Sequence, residues 1–269
     1  MDAAHVRAFR RHARWLLPVF VVFALWSLTA LCVHTLRGVD FPTPWQSGER
    51  LWALLHDAPL AGHSLRLHIQ SSLTRWLAGF TLAVLSGLAF GLLAGRVPWF
   101  AAISAGIPQM LLMIPGLAWI PVAILLFGIG ESATVFIIAV VSFAPIAVST
   151  ADGIRGVDIH LVRAAQMMGT GRWALFFQVL LPAALPAIVS GLRIGLGTGW
   201  RVLVAAEMVV GTGTGLGYSI IQARWSLDYA AAFACIGVIC AIGLIAEWLL
   251  LRPLERRLIA RWTPVSEKA

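Results

Sequence analysis

The 269-residue chain is 59% hydrophobic and only 12% charged, with a mean hydropathy of +0.86. That is about half the charge density of a soluble domain, which excludes a soluble globule. The net charge of +8 does not signal nucleic acid, because the basic residues are scattered between apolar runs and lysine occurs once, at Lys268.

The length accommodates five to seven spans of about 20 residues each. The pattern reads as an all-α integral membrane protein with about six transmembrane helices. Residues 1–14 form a basic N-terminus carrying Arg7, Arg10, Arg11 and Arg14. The apolar run from Trp15 to Val33 follows, long enough to span and without a small-residue cleavage site, so 15–36 is read as an uncleaved first helix. Residues 37–62 are polar and proline-rich (FPTPWQ), an extramembrane loop with one short amphipathic helix near Glu49–His56.

The core, 63–251, opens on a helix predicted from Ser64 to Gly95. In it Ala83, Gly87, Gly91 and Gly95 recur every four residues, a small-residue face on which a second helix can pack closely in lipid. Residues 99–127 are apolar but interrupted by Pro108, Pro115 and Pro121. Broken helices survive in a bilayer only where protein or a water-filled cavity covers the freed backbone, so this segment is expected toward the bundle interior.

The stretch Arg163–Pro182, RAAQMMGTGRWALFFQVLLP, is a polar-and-apolar interlude between two very hydrophobic blocks. A helix of good formers should stop at Gly169 and restart at Arg172-Trp173, and Pro182 should end or kink the second piece. The next span, Leu185 to Val210, places Gly191, Gly195 and Gly199 at four-residue steps and contains Arg193, Arg201 and Glu207. Ionisable groups at such depth face a cavity or a partner. Arg201 is a candidate for lining an anion's path, with Glu207, Met113 and Trp119 as further candidates. The alternatives are that Arg201 pairs with Glu207 or with another helix, and that Arg193 snorkels to the interface.

Gly211–Gly217 (GTGTGLG) lacks the lysine of a phosphate-binding loop and reads as a re-entrant or outer loop. A last span from Tyr229 to Leu251 precedes a basic tail, 252–269, with Arg252, Arg256, Arg257, Arg261 and Lys268. Cys32, Cys235 and Cys240 lie in apolar runs and suggest neither a disulfide framework nor a metal site. The histidines fall outside the predicted bilayer cores, with His63 and His68 read as solvated helix-end residues. With six spans both termini share one side, which also collects Arg96, Arg155, Arg163 and Arg172. The opposite side has Arg37, Arg50 and Arg224, with Arg66 and Arg75 at a helix entrance, so the positive-inside rule makes the arginine-rich side the cytoplasm.

The interlude resembles the cytoplasmic loop of ABC-importer permeases, whose signature is Glu-Ala-Ala, three residues, Gly, nine residues, Ile-x-Leu-Pro. Ala164, Ala165, Gly169, Leu181 and Pro182 fall at the required spacings, while Arg163 replaces the Glu and Val179 the Ile. The segments MIPGLAWIPVAILLFGIGE (Met113 to Glu131), SFAPIAVSTADGIRGVD (to Asp158) and AAEMVVGTGTGLGYSI (Ala205 to Ile220) are similar to one permease subfamily, that for sulfonates, taurine, nitrate, bicarbonate and related solutes. The likeness covers roughly 64–251.

The resemblance implies a type I importer permease core in the bacterial inner membrane, multi-pass, with both termini cytoplasmic. It implies a coupling loop at about 152–182, including Thr170, that docks on an ATPase. It also implies a second permease copy forming a homodimer, two ATP-binding subunits that hold the ATP and magnesium, an extracytoplasmic solute-binding protein, and no cofactor in this chain. An organic sulfonate is the expected solute; nitrate, bicarbonate or a neutral heterocycle are the alternatives. Two rival classes remain. A membrane-embedded enzyme would need a His-Glu-x-x-His, a Gly-x-Ser-x-Gly or paired intramembrane carboxylates, and the sequence has none. An ATP-independent carrier would show internal repeats or intramembrane acid pairs.

Overall fold

The structure, a computed structural model, describes residues 3–211 and 213–251, and side chains between 17 and 249. The basic tail expected over 252–269 lies outside the described residues, as do the side chains of the N-terminal arginines. Every regular element described is helical. Five helices are long and apolar enough to cross a membrane, or six if one bent pair counts as a span. The chain divides into two compact units, Met1–Leu65 with Ser219–Gly237, and Arg66–Tyr218 with Val238–Ala269.

In the first unit α1 (Ala3–Arg37) starts well before the expected boundary, because its basic segment is built from alanine and arginine, good helix formers, with no breaker before Trp15. Its apolar stretch, Leu17–Arg37, is almost wholly exposed, as a lipid-facing helix would be. The short helix of the loop, α2 (Pro44–Leu55), also begins earlier than the hydrophobic pattern suggests. Thr43 and Gln46 form a reciprocal capping box, and Pro44 sits in the first turn where its missing N–H costs nothing. Within this unit Trp26 donates to the Pro42 carbonyl at 2.9 Å and stacks on Phe233, and Arg50 pairs with Asp228 at 2.8 Å.

The second unit is organised around α7 (Glu131–Arg155), which packs closely against both α3 (Leu65–Arg96) and α10 (Leu181–Val210). A Cβ added at Gly87, Gly91 or Gly95 of α3 would fall within 3.0 Å of Ile146, Thr150 or Ile154 on α7. On an adjoining face, Gly191 and Gly195 of α10 would meet Ser149 and Ile146 equally closely, and Gly199 would meet Ser142. Two glycine faces therefore clasp one helix. In lipid, where the hydrophobic effect does not draw helices together, such close backbone approach maximises van der Waals contact. Ile137, Ile138, Ile146 and Leu203 are fully buried at these crossings.

Between α3 and α7 the chain runs through α4 (Pro98–Ser104), α5 (Gly106–Met113), a 3₁₀ turn (Gly116–Trp119) and α6 (Ile120–Phe127). The two halves, Pro98–Met113 and Gly116–Phe127, meet at 107°. The sequence places this segment toward the bundle interior; in the single chain it packs on α7 and is partly covered. Only one stripe, including Pro108, Ile120 and Ala123, is buried, while Met110, Leu125 and Leu126 are exposed. The prolines begin helical pieces instead of interrupting them. Pro98, Pro108 and Pro121 lie in first turns and Pro115 precedes the 3₁₀ turn, so few backbone bonds are lost.

The remaining helices are α8 (Ile159–Met167), α9 (Arg172–Leu175), α11 (Leu216–Trp225) and α12 (Tyr229–Ala246). Pro182 does not end the segment after α9. A π-helical turn, Phe176–Leu180, carries the chain directly into α10, and Pro182 sits in the first turn of that helix.

Candidate functional site

Three places carry the residues singled out from the sequence. The first is the hairpin between α7 and α10. Asp158 caps α8 by accepting from the His160 N–H at 2.8 Å. At the other end Gly169 takes φ +79°, the Gly169 N–H donates to the Gln166 carbonyl at 3.0 Å and the Thr170 N–H to the Ala165 carbonyl at 3.1 Å. This is a Schellman closure, which needs a residue free to adopt a left-handed conformation. Ala165 is buried under the turn, whereas Arg163, Ala164, Met167 and Met168 are exposed. Val162 of α8, with Phe176 and Leu181, packs onto a buried cluster of Ile154, Leu180, Ala184 and Ile188. Val179 and Pro182 are half-buried beside it. The hairpin is thus joined through apolar contacts to both α7 and α10.

The second place is a buried polar cluster that the sequence did not disclose. Glu207 on α10 is 0% exposed. Its carboxylate accepts from Arg75 Nη1 at 2.9 Å, from Ser72 Oγ at 2.8 Å and from the Gly217 N–H at 3.0 Å. Arg75 also donates to the Thr214 carbonyl at 2.8 Å, and its Nη2 reaches Glu131 at 3.1 Å. Ser72 accepts the Leu216 N–H at 2.9 Å, and His68 Nδ1 accepts the Gly215 N–H at 3.0 Å. The glycine-rich loop is therefore wrapped over the Glu207 carboxylate. A Cβ at Gly215 would lie 2.6 Å from the carboxylate carbon, and φ there is +127°.

Two expectations fail here. His68 is fully buried and not a solvated helix-end residue, and Arg75, grouped with helix-entrance charges, is a core ion-pair partner. They lie about one and three turns inside α3, where the loop closes over them. Replacing Ser72 by alanine removes a donor to Glu207 and the acceptor for Leu216, leaving a buried N–H unsatisfied. We expect a loss of about 1–3 kcal/mol, measured as reduced thermal stability in detergent together with faster proteolysis within 211–217.

The third place is a cavity of about 360 Å³ in the second unit, lined by Arg201 with Trp76, Trp200 and Gly243. Arg193 and Glu247 pair on its wall. Arg201 is exposed and makes no ion pair with Glu207, which points instead to α3. The other candidates do not join it: Met113 is 83% exposed at the bend, and Trp119 is half-buried on the 3₁₀ turn.

The family described as binding-protein-dependent transport system inner membrane component matches residues 87–259. The chain is 36% identical over 253 residues to the taurine transport system permease protein of Escherichia coli strain K12, covering 91% of each chain. It is 36% identical over 254 residues to the putative aliphatic sulfonates transport permease protein of the same organism, covering 94% of this chain and 93% of the relative. Among solved structures, the MetNI methionine ABC transporter in inward-facing conformation superposes with a TM-score of 0.58 at 22% identity, over 79% of this chain and 98% of that one.

Proposed function

This chain belongs to the family of binding-protein-dependent transport system inner membrane components and is a permease subunit of an ATP-driven importer, not an enzyme; from that premise we propose that its solute is a small organic sulfonate. The observation that carries the sulfonate reading is the likeness, over nearly the full length of both chains, to a taurine permease. The cavity at Arg201 supports it. A guanidinium beside two tryptophan faces suits a solute with one anionic end and a short apolar body.

On this reading two copies of the chain meet two ATP-binding subunits and an extracytoplasmic solute-binding protein. The hairpin lies on the cytoplasmic side with both termini, and its tip at Gly169, flanked by exposed Met167 and Met168, is gripped by the ATPase. ATP binding draws the hairpins together. The apolar cluster around Ile154 and Leu180 passes that motion to α7 and α10, which rock between two packings of comparable energy.

The test is uptake into proteoliposomes containing the permease, its ATPase and its binding protein. Labelled taurine or an alkanesulfonate should accumulate, with other sulfonates competing and nitrate, bicarbonate and neutral heterocycles failing to compete. A preference for an uncharged solute would overturn both the sulfonate and the role of Arg201. In the same assay Gly169→Val forces a β-branched residue into a left-handed conformation. We expect uptake to fall at least about tenfold, since a strain of about 1–2 kcal/mol refolds the turn, while the amount inserted stays constant. Wild-type uptake by that variant would remove the hairpin from the mechanism.

A further inference from the structure

The second unit has a further cavity, of about 460 Å³, that neither the solute path nor the hairpin tip uses. It is lined by Leu92, Leu93 and Arg96 at the end of α3 and by Arg172, Trp173 and Phe176 on the returning arm of the hairpin. Arg96 is the last residue of one candidate membrane span, and Arg172 is the first of another. The two guanidiniums thus line one cavity, each at an end of a long apolar stretch. No carboxylate lines the cavity, and neither arginine forms an ion pair among the described residues. Arg155 differs: its guanidinium donates to the Ala94 carbonyl at 2.8 Å.

Below the arginines the lining is wholly apolar, and Trp173 is 77% exposed beside it. Tryptophan with an apolar body and a polar edge is the residue favoured at the headgroup level. We propose that this cavity, formed by Arg96 and Arg172 above Leu92, Leu93 and Trp173, is a binding site for the headgroup of an anionic phospholipid. The guanidinium fork matches phosphate oxygens in pairs, and the first methylenes of the acyl chains lie along Leu92, Leu93 and Trp173. Basic pockets between membrane helices have this chemistry generally. A soluble partner fits less well, because half the lining belongs to α3 within its membrane span, whereas the exposed methionines that suit a protein partner sit at the hairpin tip. The bound lipid would brace the hairpin's returning arm against α3.

The experiment reconstitutes the whole transporter in vesicles of equal parts phosphatidylglycerol and phosphatidylcholine, re-extracts it in mild detergent and weighs the retained lipid by native mass spectrometry. The wild type should keep phosphatidylglycerol in preference to phosphatidylcholine. The double variant R96Q/R172Q should keep roughly thirtyfold less, from two lost charge contacts at a membrane surface, and R96K/R172K should keep most of it. Equal retention by wild type and R96Q/R172Q would overturn the proposal. So would displacement of the lipid by millimolar inorganic phosphate, which marks a site for a free anion. Loss of the ATPase from R96Q/R172Q with lipid retention intact would overturn it too, by turning both arginines toward the partner protein.

Discussion

Replacing Gly91 by valine is expected to prevent the second unit from folding. The Cβ alone would sit 2.5 Å from Thr150 Cβ and 2.7 Å from the Ala147 carbonyl oxygen. The obstacle includes backbone, which has no rotamer with which to yield. Nor can α7 shift freely, because it packs as closely on Gly191 and Gly195 of α10, where added atoms would meet Ser149 and Ile146. Overpacking costs about 1–3 kcal/mol where neighbours can shift; here α7 is in close contact with two helices at once, so the expected loss is at the top of that range or above it. A fluorescent fusion followed by size-exclusion chromatography should show aggregate in place of a monodisperse peak. Gly197→Ala is the control, since an added Cβ there meets nothing within 4 Å and should leave the peak unchanged. A monodisperse Gly91→Val protein would refute the clasped-helix account.

Replacing Arg75 by methionine should destabilise the protein by about 3–5 kcal/mol, because it leaves the Glu207 carboxylate buried without its counter-charge. The pair is 4% and 0% exposed at the side chains, so solvent screening does not soften the loss. The second bridge of Arg75, to Glu131, adds little, since that carboxylate is 70% exposed. The double variant R75M/E207Q separates charge from packing. A neutral amide with its oxygen at the Oε2 position still accepts from Ser72 and the Gly217 N–H and carries no buried charge. We expect it to recover most of the loss in a thermal melt in detergent. If it melts as early as R75M, the buried charge is not the cause.

The spans and the hairpin's turn are legible in one dimension because each rests on local chemistry. Apolar runs and the Ala165–Gly169–Thr170 spacing act over a few residues, and a Schellman turn needs only the glycine at one position. The start of α2 was also within reach, through the Thr43–Gln46 capping box, but a reading led by hydrophobic periodicity passes over it. The helical pieces of 99–127 were not legible from counting prolines without asking where in each helical turn they fall. A proline in a first turn and one in a helix interior look alike until the helix ends are known.

The polar cluster was not legible. Ser72 and Glu207 are 135 residues apart, and Arg75 looks like any arginine near a helix end until α3 and α10 are brought together. Proximity alone suggested an Arg201–Glu207 pair. The helices instead turn Glu207 inward to Arg75 and leave Arg201 on the wall of a cavity.

From its sequence alone this protein is a multi-span helical membrane chain with a glycine-stopped hairpin, because hydropathy and turn chemistry are properties of neighbouring residues. Which arginine is buried, which glycines touch and which cavities open were decided only by tertiary structure. Those depend on how helices far apart in the chain rotate and pack, and that rotation is set by shape complementarity and charge pairing across the whole unit.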